Sequence, residues 1–297
     1  MRIHHVIIAL VGASLLSSAA AAEEKIVRVF KPAGPWAMEY ADQTCRLIRN
    51  FSDETDKVTF AFEKTLQGPA LTLGLVGKSL QPIRKAAIVR IRYNDEKEAR
   101  PRSLLKTVLT DGRNSFLIMD ADFLSQEEMR SVMVKTKRAG QAAMAEIEME
   151  AASRTTWISL TGGFTDDLIF SVGPMAAPLK AINACVDDLV KSWGVDPQRV
   201  VTMSRVAEPV SPPQTWLSTQ DYPEDMWRAH QGGIVPVRLV IDELGAVQDC
   251  LVTVEQRGSF EEAVCKAISK RAHFRPAIDA DGKPMRSYWA RVVVFSF

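Results

Sequence analysis

The sequence has 297 residues, is 46% hydrophobic and carries 37 Lys and Arg residues against 36 Asp and Glu residues, a formal net charge of +1. A nearly neutral chain lacks the broad positive charge that draws proteins to nucleic acid or anionic membranes, so we expect no nucleic-acid partner and no general electrostatic attraction to a membrane. The apolar content is that of a globular protein, and the length corresponds to about two domains.

The first residues have the layout of a secretory signal peptide. Arg2 precedes an apolar stretch from Val6 to Leu16, and small residues follow as far as Ala22. This layout predicts that residues 1–22 are a signal peptide cleaved after Ala22 and that the protein is exported. An uncleaved membrane anchor is the alternative, although the apolar stretch is short for a span that needs about 20 residues.

Residues 23–205 are predicted to form a mixed α/β domain. Ser125 and Glu128 form a capping box that predicts the start of a helix. A second helix is predicted from Pro178, which suits the first helical position, to Gly194 at its C-terminal end. This domain resembles no family that we can identify. Stretches rich in β-branched and aromatic residues predict strands at 57–63, 71–77, 86–93, 116–120, 155–160 and 168–172.

Two cysteines of this domain are far apart in the sequence. Cys45 lies near the start of the domain and Cys185 on its last predicted helix. In an oxidising compartment they are expected to form a disulfide, which by loop entropy stabilises the fold by about 4–5 kcal/mol. A free or reactive pair is the alternative, but there is no C-x-x-C spacing to lower a thiol pKa.

Prolines mark the boundary between two domains. Four of them lie between residues 206 and 223, namely Pro209, Pro212, Pro213 and Pro223. Proline favours extended backbone and cannot donate a hydrogen bond to a sheet. Residues 206–221 are therefore predicted to be a short, fairly stiff linker that precedes a domain at residues 222–297.

This last domain has the pattern of a ββαβ unit, so the fold class of the whole chain is α+β. Apolar residues alternate along 233–242, Gly245 marks a turn, and a second strand is predicted at 247–254. Ser259 and Glu262 form a capping box in front of a helix with an apolar stripe. The closing strand is predicted at 287–297.

The second strand and the helix of this unit each carry a cysteine, Cys250 and Cys265. A ββαβ unit packs these two elements together, so we expect a second disulfide there. It closes a loop of about 15 residues, which contributes about 3 kcal/mol in the entropy model. A zinc site would need two further ligands, and His273 is the only histidine nearby.

No catalytic motif stands out in the sequence. His230 and His273 are the only histidines after the signal, and His273 lies at a helix end, where a cation suits the helix dipole. Asp279, Asp281 and Gly282 indicate a turn, since the remaining ligands of a calcium loop are missing. We therefore expect no catalytic residue, no metal site and no cofactor. An enzyme with its site in the first domain is the alternative.

A series of short features runs through residues 222–297. In chain order they are Tyr222-Pro223 at the domain entrance, Gly233-Ile-Val-Pro-Val237, the turn from Asp242 to Gly245, Val247, Gly258-Ser259, Phe274-x-Pro276-Ala277, Gly282-x-Pro284 and an apolar closing strand. In order and spacing these features resemble the C-terminal domain of TonB-type proteins.

The resemblance implies a periplasmic protein in TonB-dependent transport. Such domains bind the TonB box, a short extended segment of outer-membrane receptors, which adds as a strand to the edge of the sheet. The candidate edge is the last strand, because nothing follows it in the sequence to cover it. Coverage by the first domain or by a second copy in a homodimer is the alternative. The predicted edge residues are Tyr288, Trp289, Ala290, Arg291, Val292, Val293 and Val294.

The sequence also differs from an energy transducer of the TonB type. Such proteins have an uncleaved membrane helix that meets a proton-motive-force complex of the inner membrane, followed by a long Pro-rich spacer. Here the predicted linker spans at most about 55 Å. We expect that inner-membrane complex as a partner only if the N-terminus is uncleaved. A stand-alone envelope adaptor or assembly protein that uses the same sheet edge is the alternative function.

Overall fold

The computed structural model describes residues 25–84, 87–94, 96–109, 111–252 and 259–295. The predicted signal peptide at 1–22 lies outside these ranges, as do Gly258 and the ends of two predicted strands, 253–254 and 296–297. Helices and strands both contribute to the described chain, so the fold is of the α+β type.

The first part of the chain is built around one large sheet. The order across it is β1-β10-β9-β6-β7-β8-β5-β4-β3-β2, and β1 also pairs with β3, which closes the sheet into a barrel-like ring with β2 outside it. Closure protects strand edges that would otherwise stay unpaired. The strands are β1 (Val27–Pro32), β2 (Ala37–Tyr40), β3 (Cys45–Ser52), β4 (Lys57–Lys64), β5 (Thr72–Gly77), β6 (Ile88–Tyr93), β7 (Arg100–Val108), β8 (Asn114–Ile118), β9 (Ile158–Thr161) and β10 (Asp167–Phe170).

Phenylalanine side chains pack inside this sheet. On β4 buried side chains alternate with partly exposed ones, as expected for a strand with one face in the core, and Phe60 and Phe62 are among the buried set. The Phe60 ring lies 5.4 Å from the ring of Phe51 on β3 and 5.2 Å from the ring of Phe170 on β10. These contacts join strands that are distant in the sequence.

Three helices accompany the sheet, namely α1 (Gln126–Arg154), α2 (Ala176–Ser192) and α3 (Pro197–Thr202). The capping box predicted for α1 is confirmed: the Glu128 N–H donates to Ser125 Oγ at 3.1 Å, and the Ser125 N–H donates to the Glu128 carboxylate at 2.8 Å. The prediction that Pro178 is the first residue of its helix is wrong, because α2 begins at Ala176. Pro178 still lies in the first turn, where a backbone N–H has no partner within the helix.

A disulfide bridge joins Cys45 on β3 to Cys185 on α2, the pair expected from the sequence. The two Cα atoms are 6.0 Å apart, and 140 residues separate the cysteines in the chain. Both side chains are buried. The bridge therefore attaches α2 to β3 of the closed sheet.

The rest of the chain contains a three-stranded antiparallel sheet in the order β13-β12-β17 and a helix, α5, that packs on it. Two further strand pairs are short: β11 pairs with β14, and β15 pairs with β16. The elements in chain order are β11 (Glu208–Pro209), α4 (Glu224–Arg228), β12 (Gly233–Ile241), β13 (Val247–Val252), α5 (Phe260–Arg271), β14 (Phe274–Arg275), β15 (Ala277–Ile278), β16 (Pro284–Met285) and β17 (Ser287–Phe295).

The turn between β12 and β13 contains Gly245, with a positive φ of 85°. A Cβ at this position would lie 1.9 Å from the carbonyl oxygen of Phe274, so no other residue fits. The Gly245 carbonyl accepts a hydrogen bond from the Phe274 N–H at 3.0 Å. This glycine therefore lets the turn pack directly against the backbone that follows α5.

The capping box predicted at Ser259 is not formed. The Ser259 backbone has helical dihedral angles, and its side chain does not cap α5. Its hydroxyl donates instead to Asp225 of α4 at 2.5 Å. A charged carboxylate is a strong hydrogen-bond acceptor, so this tertiary contact orients the Ser259 hydroxyl towards α4 instead of the start of α5.

Residues 206–221, predicted as a linker, run along the C-terminal domain. Within it, β11 pairs with β14. Immediately before it, the Ser204 and Arg205 N–H groups donate to the Ile278 carbonyl at 2.8 and 3.2 Å. Trp216 is 1% exposed, and its ring lies 5.5 Å from Phe274 and 5.3 Å from Trp289. The segment is thus part of the packed structure around β17.

Candidate functional site

The predicted edge residues all lie on β17, an end strand of the three-stranded sheet. In the described ranges β17 pairs with β12 alone, in a continuous register from Gly233 opposite Phe295 to Ile241 opposite Ser287. Its other side therefore carries backbone N–H and C=O groups that are free to accept a further strand.

The partner strand indicates which backbone groups face this open side. Pro236 of β12 lies directly opposite Val292. Because proline has no N–H, it is tolerated in a central strand only where no ladder bond is required of it, so Pro236 and Val292 form a non-hydrogen-bonded pair. The N–H and C=O of Val292 then point to the open edge, and by the period of two so do those of Ala290 and Val294.

The side chains of β17 also divide by this period. Trp289, Arg291 and Val293 lie opposite the buried residues of β12 that face α5. Val292 and Val294 lie on the opposite face of the sheet and are 57% and 66% exposed. Exposed apolar side chains along an unpaired edge are typical of a surface that contacts another protein.

A groove of about 760 Å³ follows the second half of this edge. The β17 side is formed by Trp289 and residues 291–295, and the helix α5 contributes Ile268. The opposite side includes Trp216 and Leu217 of the segment before the domain and Tyr222 at the domain entrance. These side chains are mostly apolar and aromatic, which is the composition expected of a peptide groove.

A second groove, of about 370 Å³, follows the first half of the edge. Trp289 and Arg291 line both grooves, so the two are adjacent along β17. The second groove is bordered by the first domain through Leu66, Gln67, Val200 and Met203 and by the segment Val206, Ala207, Glu208 and Pro209. The first domain therefore flanks the edge.

Arg291 is the positively charged residue of this site. It is exposed, its guanidinium lies 5.7 Å from the centre of the Trp289 ring, and it forms no ion pair within the described ranges. The other charged residue along the grooves, Glu208, lies 3.7 Å from Arg275. An acidic side chain on a bound segment could therefore pair with Arg291.

Contacts with the first domain hold the first half of β17 in place. The Tyr288 hydroxyl accepts a hydrogen bond from the Gln67 N–H at 3.2 Å, and its ring lies 5.5 Å from Trp193. Burial raises the pKa of Tyr288 to about 12. Nearby, the Arg238 guanidinium lies 4.1 Å from the Trp193 ring centre and 2.7 Å from Asp249. These contacts orient the edge relative to the first domain.

The predicted domain entrance lies at the far end of the larger groove. The Tyr222 ring packs 5.2 Å from Phe295 and 5.7 Å from Phe260. Its hydroxyl donates to the Gln231 carbonyl at 2.8 Å. Pro223 is buried and precedes α4. Tyr222 therefore joins the end of β17 to the start of α5.

The opposite edge of the sheet differs in polarity. Within the described ranges this edge is β13, on which Gln248 and Asp249 are exposed. A disulfide joins Cys250 of this strand to Cys265 of α5, as expected from the sequence, with 5.5 Å between the Cα atoms. Exposed polar and charged residues on an edge strand discourage pairing with another chain. β17 is therefore the better candidate for strand addition.

Sequence reasoning did not find the residues that face β17 across the grooves. Trp216 could have been found, because a large aromatic residue in a proline-rich segment seldom remains in water. Leu66 and Met203 had no such signal, since they belong to the first domain and approach β17 only through tertiary packing.

The first domain also contains a buried ion pair. Lys64 Nζ lies 3.4 Å from Glu148 Oε1 and 2.7 Å from Asn183 Oδ1, beside a cavity of about 130 Å³. Burial lowers the pKa of Lys64 and raises that of Glu148, although each charge partly offsets the effect on the other. The pair joins β4 to α1, and the bond to Asn183 extends it to α2. This arrangement accounts for the buried charges as a structural link.

The described ranges contain no group of three or more His, Cys, Asp or Glu side chains placed to hold a metal ion. Among the helices described there, none has the length and apolar character needed to span a membrane.

Comparison with known families assigns the C-terminal part of the chain. Residues 218–297, just over a quarter of the sequence, match the family model of the Gram-negative bacterial TonB protein C-terminal domain. This segment is therefore a TonB-type C-terminal domain, which belongs to a non-enzymatic, transport-related family of the cell envelope. None of the curated proteins matches the chain.

Proposed function

We propose that the protein acts in the periplasm by binding the TonB box of outer-membrane receptors in TonB-dependent transport. The bound segment adds as a strand along β17. Main-chain hydrogen bonds supply affinity, and side chains that enter the flanking grooves supply selectivity.

The observation that carries this proposal is the side of β17 that is unpaired within the described ranges and along which two adjacent grooves run. The family match of residues 218–297 supports a role in envelope transport. The first domain serves as a scaffold in this proposal, and neither a catalytic step nor a cofactor is part of it.

The proposal is tested with Val292→Pro, a substitution at an outward-facing position of β17. It removes an N–H that points to the open edge and leaves the pairing with β12 intact. We expect the affinity for TonB-box peptides to fall at least tenfold, since one lost hydrogen bond and an obstructing ring act together. Titration with a fluorescent peptide measures the change.

Val292→Thr is the matched control, because it keeps the N–H and the β-branched shape. It should bind like the unmodified protein, and thermal unfolding should show that both variants are folded. Unchanged affinity in the proline variant would contradict strand addition at β17. Absence of peptide binding by the unmodified protein would favour the adaptor function.

Energy transduction requires an anchored N-terminus that reaches the inner-membrane complex. N-terminal sequencing of protein from the membrane and soluble fractions distinguishes the two forms. A chain that begins at Glu23 in the soluble fraction would exclude the anchored form, and a chain that retains residues 1–22 in the membrane fraction would support it.

A further inference from the structure

The groove along the first half of β17 is formed by both domains. Ser287, Tyr288 and Ala290 line it from the strand, and Leu66 and Met203 line it from the first domain. A strand that pairs with the whole of β17 has to pass through this groove, because the edge continues through it without a break. The first domain would then contact the bound segment directly.

Specific contacts fix the position of the first-domain side of the groove. The Gln67 side chain donates to Asp187 Oδ1 at 2.8 Å and to the Pro197 carbonyl at 3.1 Å, while its backbone N–H bonds to Tyr288. Arg199 of α3 forms an ion pair with Asp279 at 2.7 Å. Leu66 and Met203 therefore lie at a defined distance from β17.

The first-domain side of the groove is mostly apolar, with Gln67 beside three apolar residues. Leu66, Val200 and Met203 line it, and Val200 is buried. Side chains of an added strand alternate between its two faces, so every second residue of the strand faces this surface. An apolar side chain there would be removed from water, which strengthens binding.

We infer that the peptide site is composite and that the first domain selects an apolar side chain of the bound strand through Leu66 and Met203. This inference rests on the proposed function. It gives residues 23–205 a direct part in choosing the partner, beside the scaffold role described above.

The inference is tested with Met203→Glu, which places a carboxylate in the groove. An apolar TonB-box peptide should bind this variant about tenfold more weakly, since one buried side chain contributes about that factor. A series of peptides with lysine at each position in turn then locates the contact. One member of the series should bind Met203→Glu more tightly than it binds the unmodified protein, because opposite charges meet there.

Two controls separate this effect from damage to the fold. Met203→Gln introduces a side chain of the same shape as that of Met203→Glu but without the charge. It should bind no lysine peptide more tightly than the unmodified protein does. Leu244→Glu, at a site that is 88% exposed and outside both grooves, should leave every affinity unchanged. If no lysine peptide prefers Met203→Glu, the composite site is wrong while strand addition stands. If the unmodified protein binds no peptide, both proposals fail.

Discussion

Asp53 shows how one side chain shapes a turn in the first domain. Its carboxylate accepts hydrogen bonds from the Thr55 N–H at 2.9 Å, the Asp56 N–H at 2.8 Å and Arg28 Nε at 2.8 Å. Burial by itself raises the pKa of Asp53, but the hydrogen bonds from Thr55, Arg28 and Asp56 outweigh it and lower the pKa to about 2. The ionised form is therefore stabilised by folding, and it connects β3 to β4.

The lowered pKa predicts how stability changes in acid. A carboxyl group whose pKa is lower in the folded state stabilises the protein above about pH 4, and this contribution disappears as the pH falls towards 2. Asp53→Asn should cost about 1 kcal/mol at pH 7, less than the shift alone implies because solvent screens the group. The difference from the unmodified protein should shrink between pH 4 and pH 2 in urea unfolding. Asp42→Asn, at an exposed site, is the control; a difference that is constant with pH would contradict the assignment.

At the scale of elements, the disulfides join one helix to one strand in each domain. Cys250–Cys265 holds α5 on β13 across a separation of 15 residues, whereas Cys45–Cys185 holds α2 on β3 across 140 residues. A crosslink restricts the unfolded chain more when its loop is longer. The two bridges therefore contribute differently to stability.

Removing the bridges one at a time tests this difference. Replacing Cys250 and Cys265 together by alanine should lower the free energy of unfolding by about 3 kcal/mol, and replacing Cys45 and Cys185 by about 5 kcal/mol. Thermal and urea unfolding of the two double variants measure the loss. Unfolding of the Cys250 and Cys265 variant at the same urea concentration as the unmodified protein would show that α5 does not depend on its bridge.

The elements differ in how far the local sequence predicts them. The start of α1 could be predicted because Ser125 and Glu128 satisfy each other locally. The strand β7 was not predicted from its composition. It begins with a charged residue, Arg100, and that side chain is nevertheless buried, at 3% exposed. That charge is compensated by Asp122 at 3.1 Å, a residue beyond the next strand. Local composition does not contain this information.

At the scale of the whole molecule, the two domains meet along the sheet of β12 and β17. Arg238 of β12 is 3% exposed, lies over Trp193 at the end of α2 and pairs with Asp249. Burial lowers the pKa of Arg238, although Asp249 acts in the opposite direction. The Arg238 guanidinium packs on Trp193 of the first domain and also forms an ion pair with Asp249 of the sheet. It thereby couples the sheet to the first domain.

Removal of this contact should loosen the junction between the domains. Arg238→Ala is expected to cost about 1–3 kcal/mol, because it removes the guanidinium that packs over the Trp193 ring and its hydrogen bond to Asp249. Trp fluorescence during urea unfolding should show the C-terminal domain separating earlier. Arg228→Ala is the control, since its ion pair with Glu224 is exposed and should contribute little. Equal behaviour of the two variants would mean that Arg238 does not hold the junction.

The sequence by itself determined the C-terminal domain, the last strand as its candidate edge and the pairing of the four cysteines. The first two depend on patterns that act over short distances, such as alternation along a strand and the spacing of a turn. The cysteine pairing followed from the placement of two cysteines in each predicted domain. Only the tertiary structure decided that the first domain closes into a barrel-like sheet and that Leu66 and Met203 border the edge. Those features depend on contacts between residues far apart in the chain, where the register of many strands is settled together by packing.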